Sequence, residues 1–127
     1  MVMSGDDRFL PGHHELDAYG NHGFRFGGMS HRGSILTTPA GVRAWPVREA
    51  AEISVAALAP AIAEAASIDL LLIGTGETLT PLAPELLATL REAGLRIDVM
   101  STATAARTYN FLVSEGRQAA AALIAVP

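Results

Sequence analysis

The sequence S-T-A-T-A-A-R-T-Y-N-F-L-V-S-E-G, residues 101–116, determines how the rest of the chain is interpreted. Ser101 or Thr102 can cap a helix, because a side-chain oxygen there accepts a hydrogen bond from an unpaired amide of the first turn. Gly116 can end the helix by taking a left-handed conformation at little cost. Apolar residues recur between them at helical spacing, so the segment is predicted to be a helix with one apolar face.

The opposite face of this helix carries an unusual set of polar side chains. Arg107 offers a planar fork of donors, Asn110 offers a donor and an acceptor, and Thr108 and Tyr109 add hydroxyl groups. Most polar helix faces are only solvated. Two interpretations therefore stay open, a structural surface and a binding site for a ligand or partner.

Outward from this helix the pattern becomes regular. Residues 68–73 form an apolar run typical of a strand covered on both faces, residues 84–93 a helix, residues 95–100 a second strand and residues 119–126 a last strand. The order strand, helix, strand, helix, strand predicts a parallel βαβαβ unit, because crossovers between parallel strands are right-handed. We therefore expect a three-layer α/β fold.

The first half of the chain is less regular. Residues 24–26 and 34–38 are predicted strands, and the glycine-rich segment between them suits a hairpin turn. Residues 43–47 are a third short strand, and residues 54–66 are helix-prone but interrupted at Pro60. We expect this hairpin layer to pack on the βαβαβ unit.

The domain boundaries follow from the same patterns. Residues 20–127 are expected to form a single α/β domain, and residues 1–19, which lack periodicity, a flexible or loosely docked arm.

Composition narrows the function. The chain of 127 residues contains no cysteine and no lysine, which excludes disulfides, thiolate chemistry and lysine Schiff bases. A net charge of −4 without a basic cluster argues against nucleic-acid binding. No apolar run is long enough to span a bilayer, and the first residues do not read as a signal peptide, so a cytoplasmic protein is expected.

A candidate site follows from the predicted sheet. Ligands of open parallel sheets bind beyond the carboxyl ends of the strands, where the exposed amides at helix amino termini favour an anion. Tight strand-to-helix turns contain glycines without any ligand, and G-T-G-E-T matches no nucleotide signature, so a structural turn is the alternative. The candidate binding residues are Gly74, Thr75, Gly76, Glu77, Thr102, Arg107, Thr108 and Asn110.

Catalysis and metal binding find less support. Glu77 and Glu115 are available carboxylates, but no nucleophile, acid and base occur at a meaningful spacing. The four histidines match no ligand pattern, so we expect no metal and no cofactor.

Several motifs together resemble a small, largely uncharacterised domain family, and the resemblance covers residues 20–126. The motifs are F-R-F at 24–26, G-S at 33–34, Trp45, L-I-G-T-G at 72–76, Thr102, A-A-R-T-Y-N at 105–110 and E-G-R at 115–117. The family includes a mitochondrial NADH dehydrogenase (complex I) assembly factor and an adipogenesis-associated protein. The resemblance implies a central mixed, mostly parallel five-stranded sheet with one antiparallel strand, and it implies no assigned functional residues.

Two hypotheses for function follow. In the first, the protein is a non-enzymatic binding or assembly module for a respiratory or membrane-associated complex, and uses the surface around Arg107 and Asn110. In the second, it binds a small molecule or anion, or is an unrecognised enzyme, through the cleft of residues 74–78 and 102–107. The two share residues, and the sequence leaves the oligomeric state open.

Overall fold

The computed structural model describes residues 9–127. The strands are Phe9–Pro11 (β1), Ala18–Gly20 (β2), Gly23–Phe26 (β3), Met29–Arg32 (β4), Ile35–Thr38 (β5), Gly41–Ala44 (β6), Leu70–Gly74 (β7), Ile97–Met100 (β8) and Ala119–Leu123 (β9). The α-helices are Ala59–Ala63 (α1), Pro84–Glu92 (α2) and Thr102–Ser114 (α3), and short 3₁₀ helices occupy Ala50–Glu52, Ala56–Leu58 and Ala65–Ser67.

The central sheet is mixed, in the order β1-β6-β5-β9-β7-β8. Strands β9, β7 and β8 are parallel, as the βαβαβ pattern predicts, and β5 pairs antiparallel with β9. The mixed α/β class is thus confirmed. The sheet has six strands instead of the five implied by the resemblance, because β1 adds an edge strand beside β6. Strands β1 and β5 both run against the other four, so there are two antiparallel strands, not one.

A second, three-stranded antiparallel sheet has the order β2-β3-β4. The predicted hairpin between residues 24–26 and 34–38 is wrong, since these strands lie in different sheets. Gly27 and Gly28 have φ of 55° and 76°, and this two-residue turn returns the chain at once into β4, inside the glycine-rich segment. Strand β4 was not predicted, because its residues, M-S-H-R, are mostly polar and lack the alternation typical of a strand.

Strand β9 lies at the centre of the molecule, and its A-A-A-A-L sequence is buried on both faces. Ala119, Ala121 and Leu123 face a core shared with α3 and the three-stranded sheet. Ala120 and Ala122 face a second core that includes residues of α1 and α2. Small side chains on β9 let α3 pack closely through its own Ala105 and Ala106, so three layers form around this strand.

Trp45 belongs to the second core, where it is 4% exposed. Its ring N–H donates to the carbonyl of Ala57 at 2.8 Å, so the indole is a packing residue with a satisfied donor. The predicted break near Pro60 is confirmed, because a 3₁₀ helix ends at Leu58 and α1 begins at Ala59 with Pro60 in its first turn.

Residues 9–19, expected as part of a loose arm, pair with the rest of the fold. Strand β1 places Leu10 opposite Val42, and the guanidinium of Arg43 lies 4.7 Å from the Phe9 ring centre. Leu16 is buried in the core beneath α3. The remaining residues of the expected arm, 1–8, lie outside the described residues. Within residues 9–127, no helix combines the length and apolar character that a membrane crossing needs.

Candidate functional site

The loop after β7 is tightly hydrogen-bonded within itself. The hydroxyl of Thr75, a buried residue, donates to the carbonyl of Thr78 at 2.9 Å and accepts from the amide of Thr80 at 2.9 Å. The amide of Thr75 donates to the carbonyl of Met100 at the end of β8. The Thr75 hydroxyl is therefore used within the loop, where it holds the backbone of Thr78 and Thr80.

Thr102 joins this loop to the beginning of α3. Its hydroxyl accepts from the Gly76 amide at 3.0 Å and donates to the carbonyl of Ile124 at 2.7 Å. Its own amide donates to the carbonyl of Gly76 at 2.8 Å. Ser101 caps the helix as predicted, with its side chain accepting from the Thr104 amide. An anion at these groups would have to displace hydrogen bonds that the chain already makes.

Gly74 shows why this junction needs a glycine. A Cβ atom at this position would lie 2.8 Å from the Cα of Thr102 and 2.9 Å from Cδ2 of Leu123. Gly76 differs, because a Cβ there would meet nothing within 4 Å, and its φ of 112° is the feature that favours glycine. The backbone that comes close to Gly74 is that of α3, at the Cα of Thr102.

The other candidate residues lie along α3, and two of them hold the amino-terminal segment. Asn110 accepts from the amide of Leu16 and donates to the carbonyl of the same residue, both at 2.7 Å. Arg107 donates to the hydroxyl of Tyr19 at 3.1 Å. Thr108 instead donates to the carbonyl of Thr104 within the helix.

Tyr109 completes this set from the buried side of α3. Its hydroxyl donates to the carbonyl of His14 at 2.6 Å and lies 2.9 Å from the hydroxyl oxygen of Thr37. The ring of His13 packs edge-on against it, with ring centres 6.0 Å apart. We call Arg107, Tyr109 and Asn110 the clasp, because together they fasten residues 13–19 to the domain.

Burial raises the pKa of Tyr109 to about 12 from an ordinary value of 10.0, and the hydrogen bond with Thr37 acts in the opposite direction. The neutral phenol is therefore the form that the fold stabilises. At physiological pH the Tyr109 hydroxyl is therefore protonated and available as a hydrogen-bond donor.

Alkaline pH is expected to weaken the fold through this residue. Since the folded pKa lies above the unfolded one, the unfolded chain loses the Tyr109 proton first, and stability falls between about pH 10 and pH 12. The loss should reach about 2 kcal/mol by pH 12. It can be measured by urea unfolding followed through Trp45 fluorescence. In Tyr109→Phe this part of the pH dependence should disappear; an unchanged dependence would contradict the assignment.

The residues of the predicted cleft fall into two groups. A shallow cleft of about 440 Å³ is lined by the loop residues Thr75, Gly76 and Glu77 and also by Arg48. Arg107 does not line this cleft. Arg107 instead donates a hydrogen bond to the Tyr19 hydroxyl on the three-stranded sheet, so the loop and the clasp form two separate surfaces. No three His, Asp or Glu side chains within residues 9–127 are arranged to hold a metal ion.

Two aromatic residues that sequence reasoning missed lie beside Arg107. Phe111 is 62% exposed and lies one helical turn after Arg107 on α3, and Tyr19 is 37% exposed. The helical spacing could have revealed Phe111, because it falls among the polar positions of α3. The sequence could not have indicated Tyr19, because only the folded chain brings Tyr19 next to Arg107, 88 positions later. We call Tyr19, Arg107 and Phe111 the aromatic–arginine face.

Comparison with known proteins finds a family and several relatives whose sequences match most of this chain. A family model described as a protein of unknown function (DUF498/DUF598) matches residues 16–124. The chain is 38% identical to an uncharacterized protein of Rhodobacter capsulatus, over 88% of this chain and 85% of that protein. It is 34% identical to NADH dehydrogenase [ubiquinone] 1 alpha subcomplex assembly factor 3 of Xenopus tropicalis, over 86% of this chain. The match spans only 60% of that assembly factor's length.

A solved structure has the same fold. The crystal structure of an outer membrane protein from Bartonella henselae is 42% identical in sequence and superposes with a TM-score of 0.88. The match covers 94% of this chain and all of that chain.

Proposed function

We propose that this chain, which belongs to the DUF498/DUF598 family of proteins of unknown function, is a non-enzymatic binding module that takes part in assembling a protein complex. The assembly-factor name of the Xenopus tropicalis relative supports a role of this kind. A respiratory or membrane-associated complex is the partner class that this name suggests. Because the match spans 60% of that relative, the proposal concerns only the domain described here.

The aromatic–arginine face is the observation that carries the proposal. Tyrosine and arginine are enriched among the residues that dominate protein–protein binding energies, and phenylalanine is enriched at interfaces generally. The hydrogen bond from Arg107 to Tyr19 orients the guanidinium before any partner arrives, which lowers the entropy cost of binding. Phe111 exposes an apolar ring beside it, so the three side chains offer one preformed contact surface.

A second candidate is a small-anion binder, or an unrecognised enzyme, that uses residues 74–78 and 102–107. One observation favours it: Arg48 lines a shallow cleft together with Gly76 and Glu77. The hydrogen bonds of Thr75 and Thr102 argue against it, because both hydroxyls are used inside the chain. The binding module is therefore the better-supported proposal.

Photo-crosslinking from a single surface position distinguishes the two candidates. A photoreactive phenylalanine at position 111 should crosslink a protein of a respiratory or membrane-associated complex in cells of the native host, and the same group in place of Leu79, which is 55% exposed, should not. Phe111→Ala should weaken binding of the captured partner about 30-fold, the effect of losing about 2 kcal/mol at a central contact. Leu79→Ala is the matched control.

Two results would contradict the proposal. One is crosslinking of a protein at position 79 but not at position 111, which would place the contact surface away from the aromatic–arginine face. The other is unchanged partner affinity in a folded Phe111→Ala variant. Since Phe111 is exposed, the fold of that variant should be intact, and circular dichroism checks this.

A further inference from the structure

A groove of about 590 Å³ crosses the three-stranded sheet. Two arginines, Arg25 and Arg32, line this groove, and none of the Asp and Glu residues within 9–127 does so. This is unexpected in a chain whose acids outnumber its arginines and whose net charge is −4. The groove is therefore a local positive surface on an acidic protein.

The strand register brings the two guanidinium groups onto one face. Arg25 pairs with Ser30, and Arg32 follows two residues later on β4, so Arg25 and Arg32 are diagonal neighbours. Diagonal neighbours of an antiparallel pair are roughly 7 Å apart. Both side chains are exposed, and among residues 9–127 neither guanidinium has an ion-pair or hydrogen-bond partner.

The groove adjoins the aromatic–arginine face. Tyr19 lines the groove, and its hydroxyl accepts the hydrogen bond from Arg107. Tyr19 pairs with Phe24, whose side chain is buried in the core beneath α3. The Tyr19 hydroxyl and Arg107 therefore lie on the opposite face of the three-stranded sheet from the two groove arginines. Strand β2 is an edge strand, and a partner segment that passes around this edge from Phe111 and Tyr19 would enter the groove.

We infer that this groove binds an acidic, extended segment of the protein partner, with carboxylates two residues apart; this inference rests on the proposed function. Side chains at alternate positions of an extended peptide lie roughly 7 Å apart on one face, which matches the spacing of Arg25 and Arg32. Each guanidinium can hold one carboxylate through two parallel N–H···O bonds. A groove lined by residues of all three strands fits a peptide better than a single small anion.

Nucleic acid fits less well, although it is also anionic. The chain has no lysine, and 13 acids face 9 arginines, so a long polyanion would be repelled by most of the surface. A short acidic peptide meets only the local positive charge of the groove.

The test uses a defined probe that does not depend on identifying the partner. A blocked hexapeptide of alternating glutamate and serine is titrated into the ¹⁵N-labelled protein at low salt, with the glutamine–serine peptide as control. We expect amide shifts confined to β2, β3 and β4, and weakening of binding with rising salt. Arg25→Gln with Arg32→Gln should weaken binding at least tenfold, whereas Arg91→Gln with Arg96→Gln, the same charge change elsewhere, should not.

Each other outcome overturns the inference. Equal binding of the glutamine–serine peptide would remove the role of charge, and shifts outside the three-stranded sheet would place the site elsewhere. The same amide shifts produced by inorganic phosphate at the same concentration would indicate a small-anion site. A single-stranded oligonucleotide that binds more tightly than the acidic peptide would indicate a nucleic-acid site. If the acidic peptide does not bind but position 111 still crosslinks a partner, only the groove inference is refuted and the proposed function stands. If the peptide binds the groove but position 111 crosslinks no partner, only the proposed function is refuted.

Discussion

Replacing Tyr109 by alanine is expected to lower the free energy of unfolding by about 3–5 kcal/mol, the range for removing a buried aromatic ring. Tyr109 is fully buried, and its ring lies in the core between α3 and the three-stranded sheet. The substitution also removes the hydroxyl that bonds the His14 carbonyl and contacts Thr37. For a domain of ordinary stability, this is a large part of the total.

Tyr109→Phe separates the contribution of the hydroxyl from that of the ring. Keeping the ring should reduce the cost to about 1–2 kcal/mol, because only hydrogen bonds are lost. Urea unfolding followed by Trp45 fluorescence gives both values, since Trp45 is the single tryptophan. Hydrogen exchange should rise in residues 13–19 in both variants, because the clasp is loosened. Equal costs for the two substitutions would show that the ring contributes no packing.

The second half of the fold could be predicted from sequence because its signals are local. The apolar run before residue 74, the helix with proline in its first turn and the cap at Ser101 each depend on a few neighbouring residues. Right-handed crossovers then fix how the three parallel strands connect. The parallel arrangement of β7, β8 and β9 followed from these features alone.

The first half could not be predicted equally well because its strands are specified by distant partners. Strand β4 has a polar sequence and becomes a strand by pairing with β3 after a two-glycine turn. Strand β1 has three residues and is held by β6, whose paired residues lie 30 to 34 positions later in the chain. Nothing in residues 9–11 alone indicates that partner.

The candidate site shows the same limit. The sequence singled out the polar residues of α3 as a set, but it gave no sign of their partners, which lie far away in the chain: Asn110 bonds Leu16, 94 positions earlier. A binding site and a clasp require the same residue types, because both need donors and acceptors in fixed positions. Only the fold shows that Asn110 and Tyr109 are used internally, whereas Arg107 keeps an exposed side.

Gly74→Ala is expected to destabilise the protein by about 3 kcal/mol, the upper end of the range for overpacking. The backbone of Gly74 lies outside the left-handed region, so alanine causes no conformational strain there. In a strand position with room for a methyl group, the same change would stabilise the protein by about 0.4–1 kcal/mol, because alanine lowers the conformational entropy of the unfolded chain. The sign of the effect therefore reports the contact directly: a Cβ 2.8 Å from the Thr102 Cα forces β7 and α3 apart.

A double-mutant cycle identifies which neighbour resists the new methyl group. The Cβ would also lie 2.9 Å from Cδ2 of Leu123, a side-chain end that can move, whereas the Cα of Thr102 belongs to the backbone of α3. Leu123→Val should therefore not rescue Gly74→Ala, and the coupling energy between the two substitutions should stay at about 0.5 kcal/mol, the low end of the range for residues in contact. Hydrogen exchange at the Thr102 and Gly76 amides should rise in Gly74→Ala, because the two hydrogen bonds that join them lengthen together. Rescue by Leu123→Val, or a stabilising Gly74→Ala, would mean that the junction is not set by backbone contact.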